Sequence, residues 1–363
     1  MCGIAGYIVL DGKRVRPTAL QAIARTLLRD LEHRGRDATG YAYVSIKDKS
    51  AYVAKAPVPA SDFISIEGHL LSNVDIKAMP RTMILHTRFA TQGLASDNRN
   101  NHPVYSKKSG LCMVHNGWLI NDKELVKEHD LKKDAEVDSE TYLRLIEKEY
   151  YNGSKGDITK SIVEATKSVV GNIACAMVKG GAPGTLWLWR QEGDLRLART
   201  DFGFVFASEL RALWQGLYHS TRAIDVSQVT IIEVPPGTLL ELKANGEVTK
   251  LDIEAYDFSE FSGTKEGVYV TRGNGRKYHL RRMRGGTTYY MGVDGGFQQG
   301  AKHVEPAGAK GTGSATYTTF AALGKASKNN AAEGGTSESV EKAYKEEKGD
   351  RCYELDCEGW CEH

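Results

Sequence analysis

MCGIAGYIVL occupies residues 1–10 and sets a cysteine directly behind the initiator methionine. A small apolar residue opening a buried strand would account for the cysteine, because free Cys packs as a small hydrophobe. It would not account for its position. Chemistry does. Methionine aminopeptidase removes Met1 when the next residue is small, and Cys2 then carries both a thiol and a free α-amine. An unperturbed α-amine has a pKa of about 7.7–8.0, so much of it is a neutral base at physiological pH. A nucleophile with its general base on the same residue is a complete attacking unit. At any other position that amine is tied up in a peptide bond.

Working outward, the chain has 363 residues, with 48 basic and 46 acidic side chains for a net charge of +2. That balance gives no reason to expect a polyanionic partner. No run of eighteen apolar residues marks a membrane span, and the N-terminus lacks the regions of a signal peptide. The six cysteines are Cys2, Cys112 and Cys175, scattered in the body of the chain, and Cys352, Cys357 and Cys361 near its end. Free thiols in a reducing compartment follow, and the protein is expected to be cytoplasmic.

Composition shifts near residue 255. Residues 261–363 hold 18 of the 38 glycines, no Ile, three Leu, five Val and three Phe. Too few apolar side chains remain there to bury a core. The expected organisation is therefore one domain over 2–255 and a largely disordered Gly/Lys-rich tail over 256–363. In the body, GIAGYIVL, TGYAYVSI, TMILHTRF, LCMVHNGWLI, NIACAMVKG, TLWLWRQ, FGFVFAS and QVTIIEV read as strands. Leu20, Ile23, Ala24, Leu27, Leu28 and Leu31 recur at helical spacing behind Pro17. A second helix is expected from about Ser139, and a third over 158–170, ended by Gly171. Asn245-Gly246 marks a late hairpin. Many strands with helices gathered in a few places predict a layered α+β fold.

Further chemistry lies in LEHRGRDATG (31–40), HTRFATQG (86–93), MVHNGWLIN (113–121) and EVDSETY (136–142). A thiol attacking an amide creates an oxyanion, which needs preorganised donors. The Asn116 side-chain amide and the Gly117 N–H can converge on one point, although Asn-Gly also suits a plain turn. Arg88 can take an α-carboxylate bidentately, or make a surface ion pair. Asp138 can take an α-ammonium, or cap a helix. Arg34 and Gly35 also fit the end of a helix.

Taken in order, these stretches resemble the class II glutamine amidotransferase domain of the N-terminal-nucleophile (Ntn) hydrolases, as found in glucosamine-6-phosphate synthase and amidophosphoribosyltransferase. The matching residues are Cys2-Gly3-Ile4; Leu31, Glu32, Arg34, Gly35 and Asp37; His86 to Thr91; Asn100, His102 and Pro103; His115 to Gly117; and Asp138 to Glu140. EVPPGTLL (233–240) is similar to a stretch of asparagine synthetase. The resemblance covers roughly residues 2–255. It implies a four-layer αββα sandwich. It also implies hydrolysis of L-glutamine to glutamate and ammonia through a γ-glutamyl thioester on Cys2, with no cofactor. By matched motif, Arg88 and Asp138 hold the substrate's α-carboxylate and α-ammonium, and Thr91 lies in the same binding loop. Asn116 and Gly117 form the oxyanion hole, and Arg34 and Gly35 support the nucleophile's end. Phe89 and Gln92 depart from the synthase pattern of Trp and His, which puts loop closure in question.

No Walker-type loop, ATP-pyrophosphatase loop or sugar-isomerase pair is visible. The ammonia is therefore expected to pass to a separate synthetase, with the tail as a docking segment. The rival from another class is a catalytically silent glutamine-binding or scaffold subunit on the same fold. Residues 269–290 interleave Arg272, Arg276, Lys277, Arg281, Arg282 and Arg284 with tyrosines. Such a stretch more often docks a partner or stays solvated than binds nucleic acid. Cys352, Cys357, Cys361 and His363 are zinc-type ligands at a non-standard spacing, and no metal is expected.

Overall fold

The computed structural model describes residues 2–65, 80–191, 193–218 and 228–253, together with the backbone of four short strands between 268 and 297. Two antiparallel sheets dominate. The first has seven strands: β1 (Gly3–Val9), β2 (Ala38–Val44), β3 (Ala51–Ala56), β4 (Thr82–Arg88), β9 (Arg196–Arg199), β10 (Gly203–Ala207) and β11 (Thr230–Glu233). Their order is β11-β9-β10-β1-β4-β2-β3. The second contains β5 (Val104–Tyr105), β6 (Leu111–Leu119), β7 (Gly171–Lys179), β8 (Thr185–Arg190), β12 (Thr238–Lys243) and β13 (Val248–Asp252), ordered β13-β12-β8-β7-β6-β5.

Strand parity explains the layers. Successive side chains on a strand point to opposite faces. Ile4 and Ile8 of β1 pack with Val114 of β6, Ala174 of β7 and Leu188 of β8 in a core between the sheets. Ala5, Tyr7 and Val9 point the other way, onto α1 (Pro17–Leu31) and α6 (Leu210–Tyr218). On the far side, Met113, Ile173, Trp187 and Trp189 meet α4 (Asp138–Asn152) and α5 (Ile158–Ser168). Both faces of each sheet are buried, so the strands read as nearly continuous apolar runs. The result is the four-layer αββα sandwich implied by the resemblance. Helix α1 buries Leu20, Ile23, Ala24, Leu27, Leu28 and Leu31, the face read from its spacing.

Some readings need correction. Helix α5 stops at Ser168, and Gly171 opens β7 rather than capping a helix. At Gly171 a Cβ would lie 2.0 Å from the Trp118 carbonyl, so this glycine serves strand pairing. Strands β3, β5 and β9 were not expected. Nor were α2 (Ala60–Ser65), α3 (Asp122–Glu128) and α6. The spacing of Leu210, Leu213, Trp214 and Leu217 was a legible signal for α6.

The expected tail lies largely outside the described residues, as do Cys352, Cys357, Cys361 and His363. Within it, β14 (Val268–Thr271), β15 (Lys277–Arg282), β16 (Tyr289–Val293) and β17 (Gly296–Phe297) pair in that order as an antiparallel sheet. The basic, tyrosine-rich stretch 269–290 is thus partly strand. Among the described residues no helix is long and apolar enough to cross a membrane.

The helical layer over the second sheet is fixed by one polar chain. Trp189 Nε1 donates to Tyr142 Oη at 2.9 Å, and the Tyr142 hydroxyl meets Thr166 Oγ1 at 2.6 Å. Thr166 in turn donates to the Ile162 carbonyl at 2.6 Å. Since Thr166 spends its hydrogen there, Tyr142 must be the donor to it. Tyr142→Phe leaves a buried indole N–H without an acceptor, which costs about 1–3 kcal/mol. Urea unfolding should show a lower midpoint at unchanged slope. An unchanged midpoint would mean that the chain carries no net stability.

Candidate active site

Cys2 precedes β1, and β1 lies at the centre of its sheet between β10 and β4. The register sets Gly3 opposite Thr87, so Cys2 adjoins Arg88 at the end of β4. Gly3 is required here, because a Cβ would fall 2.5 Å from Thr87 Oγ1. The thiol is half-buried. The Phe89 N–H points to its Sγ at 3.4 Å, and Sγ lies 3.6 Å from the Phe89 carbonyl. Burial pushes the Cys2 pKa up. The Phe89 N–H, the N-terminal ammonium, Arg88 and Arg34 oppose that shift without reversing it. The resting group is a thiol, so attack needs a base. Cys112 and Cys175 are fully buried in strands, and burial pushes the first up to about 12 and the second well above its ordinary value.

Arg34 sits in a 3₁₀ turn, Glu32–Arg34, that follows α1. Its Nε donates to the Cys2 carbonyl at 2.9 Å, and Nη1 to Glu209 Oε1 at 2.8 Å. His33 Nε2 meets the same oxygen at 3.1 Å. Burial alone would raise the Glu209 pKa, but His33 and Arg34 hold it at about 2. Arg34 thus holds the backbone of Cys2 in place. Glu209 was missed, because nothing local in sequence links it to a turn 175 residues earlier. Gly35 is extended rather than a left-handed helix cap, with φ −166°. A Cβ on it would lie 2.3 Å from the Arg88 carbonyl carbon. It is glycine because the β4 backbone passes against it.

Asn116 and Gly117 lie inside β6, paired with Ala174 and Ile173, and not in a hairpin turn. Gly117 has φ +147°, and a Cβ would fall 1.8 Å from the Asn172 carbonyl. Alternation along β6 puts Asn116 on the inter-sheet face with Cys112 and Val114, the face shared by Ile4 of β1.

Arg88 is 2 % exposed. Its Nη1 donates to Asn101 Oδ1 at 2.9 Å, and its Nη2 to the carbonyls of Gln92 at 2.5 Å and Gly93 at 2.9 Å. In this structure the guanidinium therefore organises the loop that follows it. Asp37 Oδ2 pins that loop by accepting from the Ala90 N–H at 2.7 Å. Thr91 is exposed on the same loop. Asp138 is the first residue of α4. Its Oδ2 accepts from the Leu119 N–H at 2.6 Å, and Ser139 Oγ approaches Oδ1 at 3.3 Å.

Beneath the loop lie three histidines whose roles the sequence did not disclose. The rings of His86 and His102 stack at 4.2 Å. His86 Nε2 meets the His115 carbonyl at 3.2 Å, and His115 Nδ1 meets Ser139 Oγ at 2.9 Å. Neither His102 nitrogen, nor His86 Nδ1, has a partner among the described residues. Burial lowers all three, His86 to about 3 and His102 well below its ordinary value.

Comparison with known proteins agrees with this geometry. Residues 86–215 match the family model of the glutamine amidotransferase domain. The glutamine–fructose-6-phosphate aminotransferase (isomerizing) of Aquifex aeolicus is 29 % identical over 270 residues, covering 74 % of this chain and 42 % of that protein. The protein of the same name from Methanothermobacter thermautotrophicus is 28 % identical over 277 residues, with the same coverage. The chain thus spans about two fifths of the length of these relatives. Among solved structures, the glutamine phosphoribosylpyrophosphate amidotransferase of B. subtilis with ADP and GMP aligns at a TM-score of 0.51 and 16 % identity. That alignment covers 73 % of this chain and 50 % of that one. The fold is shared. Residues 86–215 thus match a glutamine amidotransferase domain, within a sandwich fold like that of the B. subtilis enzyme.

The buried histidines predict acid sensitivity. In the folded protein they stay neutral, whereas in the unfolded chain each titrates near 6.5. Their stabilising share is complete above pH 6.5 and is lost as pH falls toward 3. Each contributes a slope of up to about 1.4 kcal/mol per pH unit. Unfolding free energy measured from pH 7.5 to 4.5 should fall steeply below 6.5. His102→Phe should make that fall shallower. An unchanged slope in the variant would show that His102 is already charged in the folded state.

Proposed function

We propose that the protein is a glutaminase of this class. It hydrolyses L-glutamine to glutamate and ammonia through a thioester on Cys2, and passes the ammonia to a separate synthetase. The carrying observation is the arrangement around Cys2. A protonated, half-buried thiol faces the Phe89 N–H, and its own carbonyl is held by Arg34.

The chemistry follows from these groups. With Met1 removed, the Cys2 α-amine takes the thiol proton, directly or through water, as Sγ attacks the substrate carboxamide carbon. Charge on the carboxamide oxygen is met by the Asn116 side-chain amide and the Gly117 N–H. The amine, now protonated, returns its proton to the leaving nitrogen, so ammonia departs and the thioester remains. Water then attacks by the same relay and releases glutamate. Arg88 and Asp138 take the α-carboxylate and α-ammonium, with Thr91 on the loop between them. Arg34 and Gly35 fix the position from which Sγ starts.

The free thiols of Cys2, Cys112 and Cys175 fit a cytoplasmic setting. The alternative, a silent glutamine-binding subunit, draws on Arg88 having both Nη2 hydrogens engaged by loop carbonyls.

Purified protein lacking Met1 should release glutamate from L-glutamine, and Cys2→Ala should abolish that release. Asn116→Ala should lower kcat by on the order of 10²–10³, the effect of losing one oxyanion donor. Diazo-oxonorleucine should label Cys2 and leave Cys112 and Cys175 unmodified, as read by peptide mass mapping. Active protein that retains Met1 would remove the α-amine from the mechanism. Binding of glutamine without turnover would establish the silent reading.

A further inference from the structure

The loop after β4 begins beside the thiol, and one of its side chains reaches the helix that carries Asp138. Gln92 Oε1 accepts from the backbone N–H of Asp138 at 3.0 Å, while the Gln92 carbonyl accepts from Arg88 Nη2 at 2.5 Å. The same residue therefore touches both groups assigned to the substrate's amino-acid end. Asp138 is held independently on its carboxylate side by the Leu119 N–H and by Ser139, so Gln92 does not set the carboxylate's direction. What it does is tie the Arg88 guanidinium to the first residue of α4.

From these bonds we infer that Gln92 is a positioning residue, a spacer that makes recognition of the α-carboxylate and the α-ammonium cooperative. The inference rests on the proposed function. An α-amino acid carries both charges on one carbon, so the two clamps must stand at one fixed separation to be used together. A clamp pair held at that separation before binding gains affinity by not having to be ordered on binding. Without the spacer each clamp still works, but filling one no longer places the substrate for the other.

The test is a substrate-deletion experiment on the full chain with Met1 removed. Glutaramate, which is glutamine without its α-amino group, reports the loss of the ammonium. The ratio of kcat/KM for L-glutamine over glutaramate measures what the ammonium contributes while the carboxylate is bound. Gln92→Leu keeps the bulk and removes the acceptor. It should lower that ratio by roughly tenfold, the scale of one lost hydrogen bond. Gln92→Glu keeps an acceptor facing the Asp138 N–H and should preserve the ratio. Because Gln92 is exposed, both variants should fold, and equal thermal midpoints confirm it. A purely structural loosening would slow both substrates alike and leave the ratio unchanged, which overturns the inference. Failure of the underlying function looks different. Wild-type protein would then hydrolyse neither substrate, and the inference would fall with it.

Discussion

The site depends on a close approach that no side chain permits. The Arg88–Phe89 backbone runs against Gly35 at a distance where a Cβ would overlap its atoms. That approach lets the Asp37 N–H reach the Arg88 carbonyl at 3.0 Å and brings the turn carrying Arg34 beside Cys2. Thr87 Oγ1 closes the same corner by donating to the Leu31 carbonyl at 3.0 Å. Helix α1, strand β1 and strand β4 meet there. The thiol, the guanidinium that steadies its carbonyl and the loop that faces it are placed together by one set of contacts.

From that corner the site extends through rigid elements. β6 brings Asn116 and Gly117 from the second sheet, and the N-terminus of α4 brings Asp138. Sites built on strand ends and helix starts hold their geometry better than sites built on free loops. The one loop involved is tied at Phe89 by the thiol, at Ala90 by Asp37, and at Gln92 by α4. Below it Asn100 and Asn101 close the turn onto Glu136 and Arg88. Lys55 joins them by donating to the Asn101 and Pro103 carbonyls at 2.6 and 3.1 Å. Its burial lowers its pKa to about 8.

Much of this was legible before folding was considered. The strands of both sheets announced themselves because each sheet is buried on both faces, and α1 because only one of its faces is. The order of Cys2, Arg34, Arg88, Asn116 and Asp138 carried the site proposed above. Other features were hidden for physical reasons. Asn-Gly at 116–117 has the look of a turn, yet the positive φ of Gly117 serves a strand that another backbone crowds. Gly35 has the look of a helix stop, yet it serves a crossing chain. Glu209 and Asp37 act through pairing across the fold, which no local pattern reports. The histidine cluster was quoted as motif, but its burial is a tertiary fact.

The central place of β1 also constrains the order of events during synthesis. The proposed chemistry needs the Met1–Cys2 bond to be cut. Yet β1 is the strand that β4 and β10 both zip onto, and Arg34 grips the Cys2 carbonyl from a third side. An aminopeptidase has to draw this segment into its own cleft, which an extended chain allows and a strand fixed on both edges resists. The last of these partners ends at Ala207. At ~5–20 residues per second, a ribosome takes roughly ten to forty seconds to reach it. On the proposed mechanism, maturation of Cys2 is therefore a race between trimming of the nascent chain and closure of the first sheet.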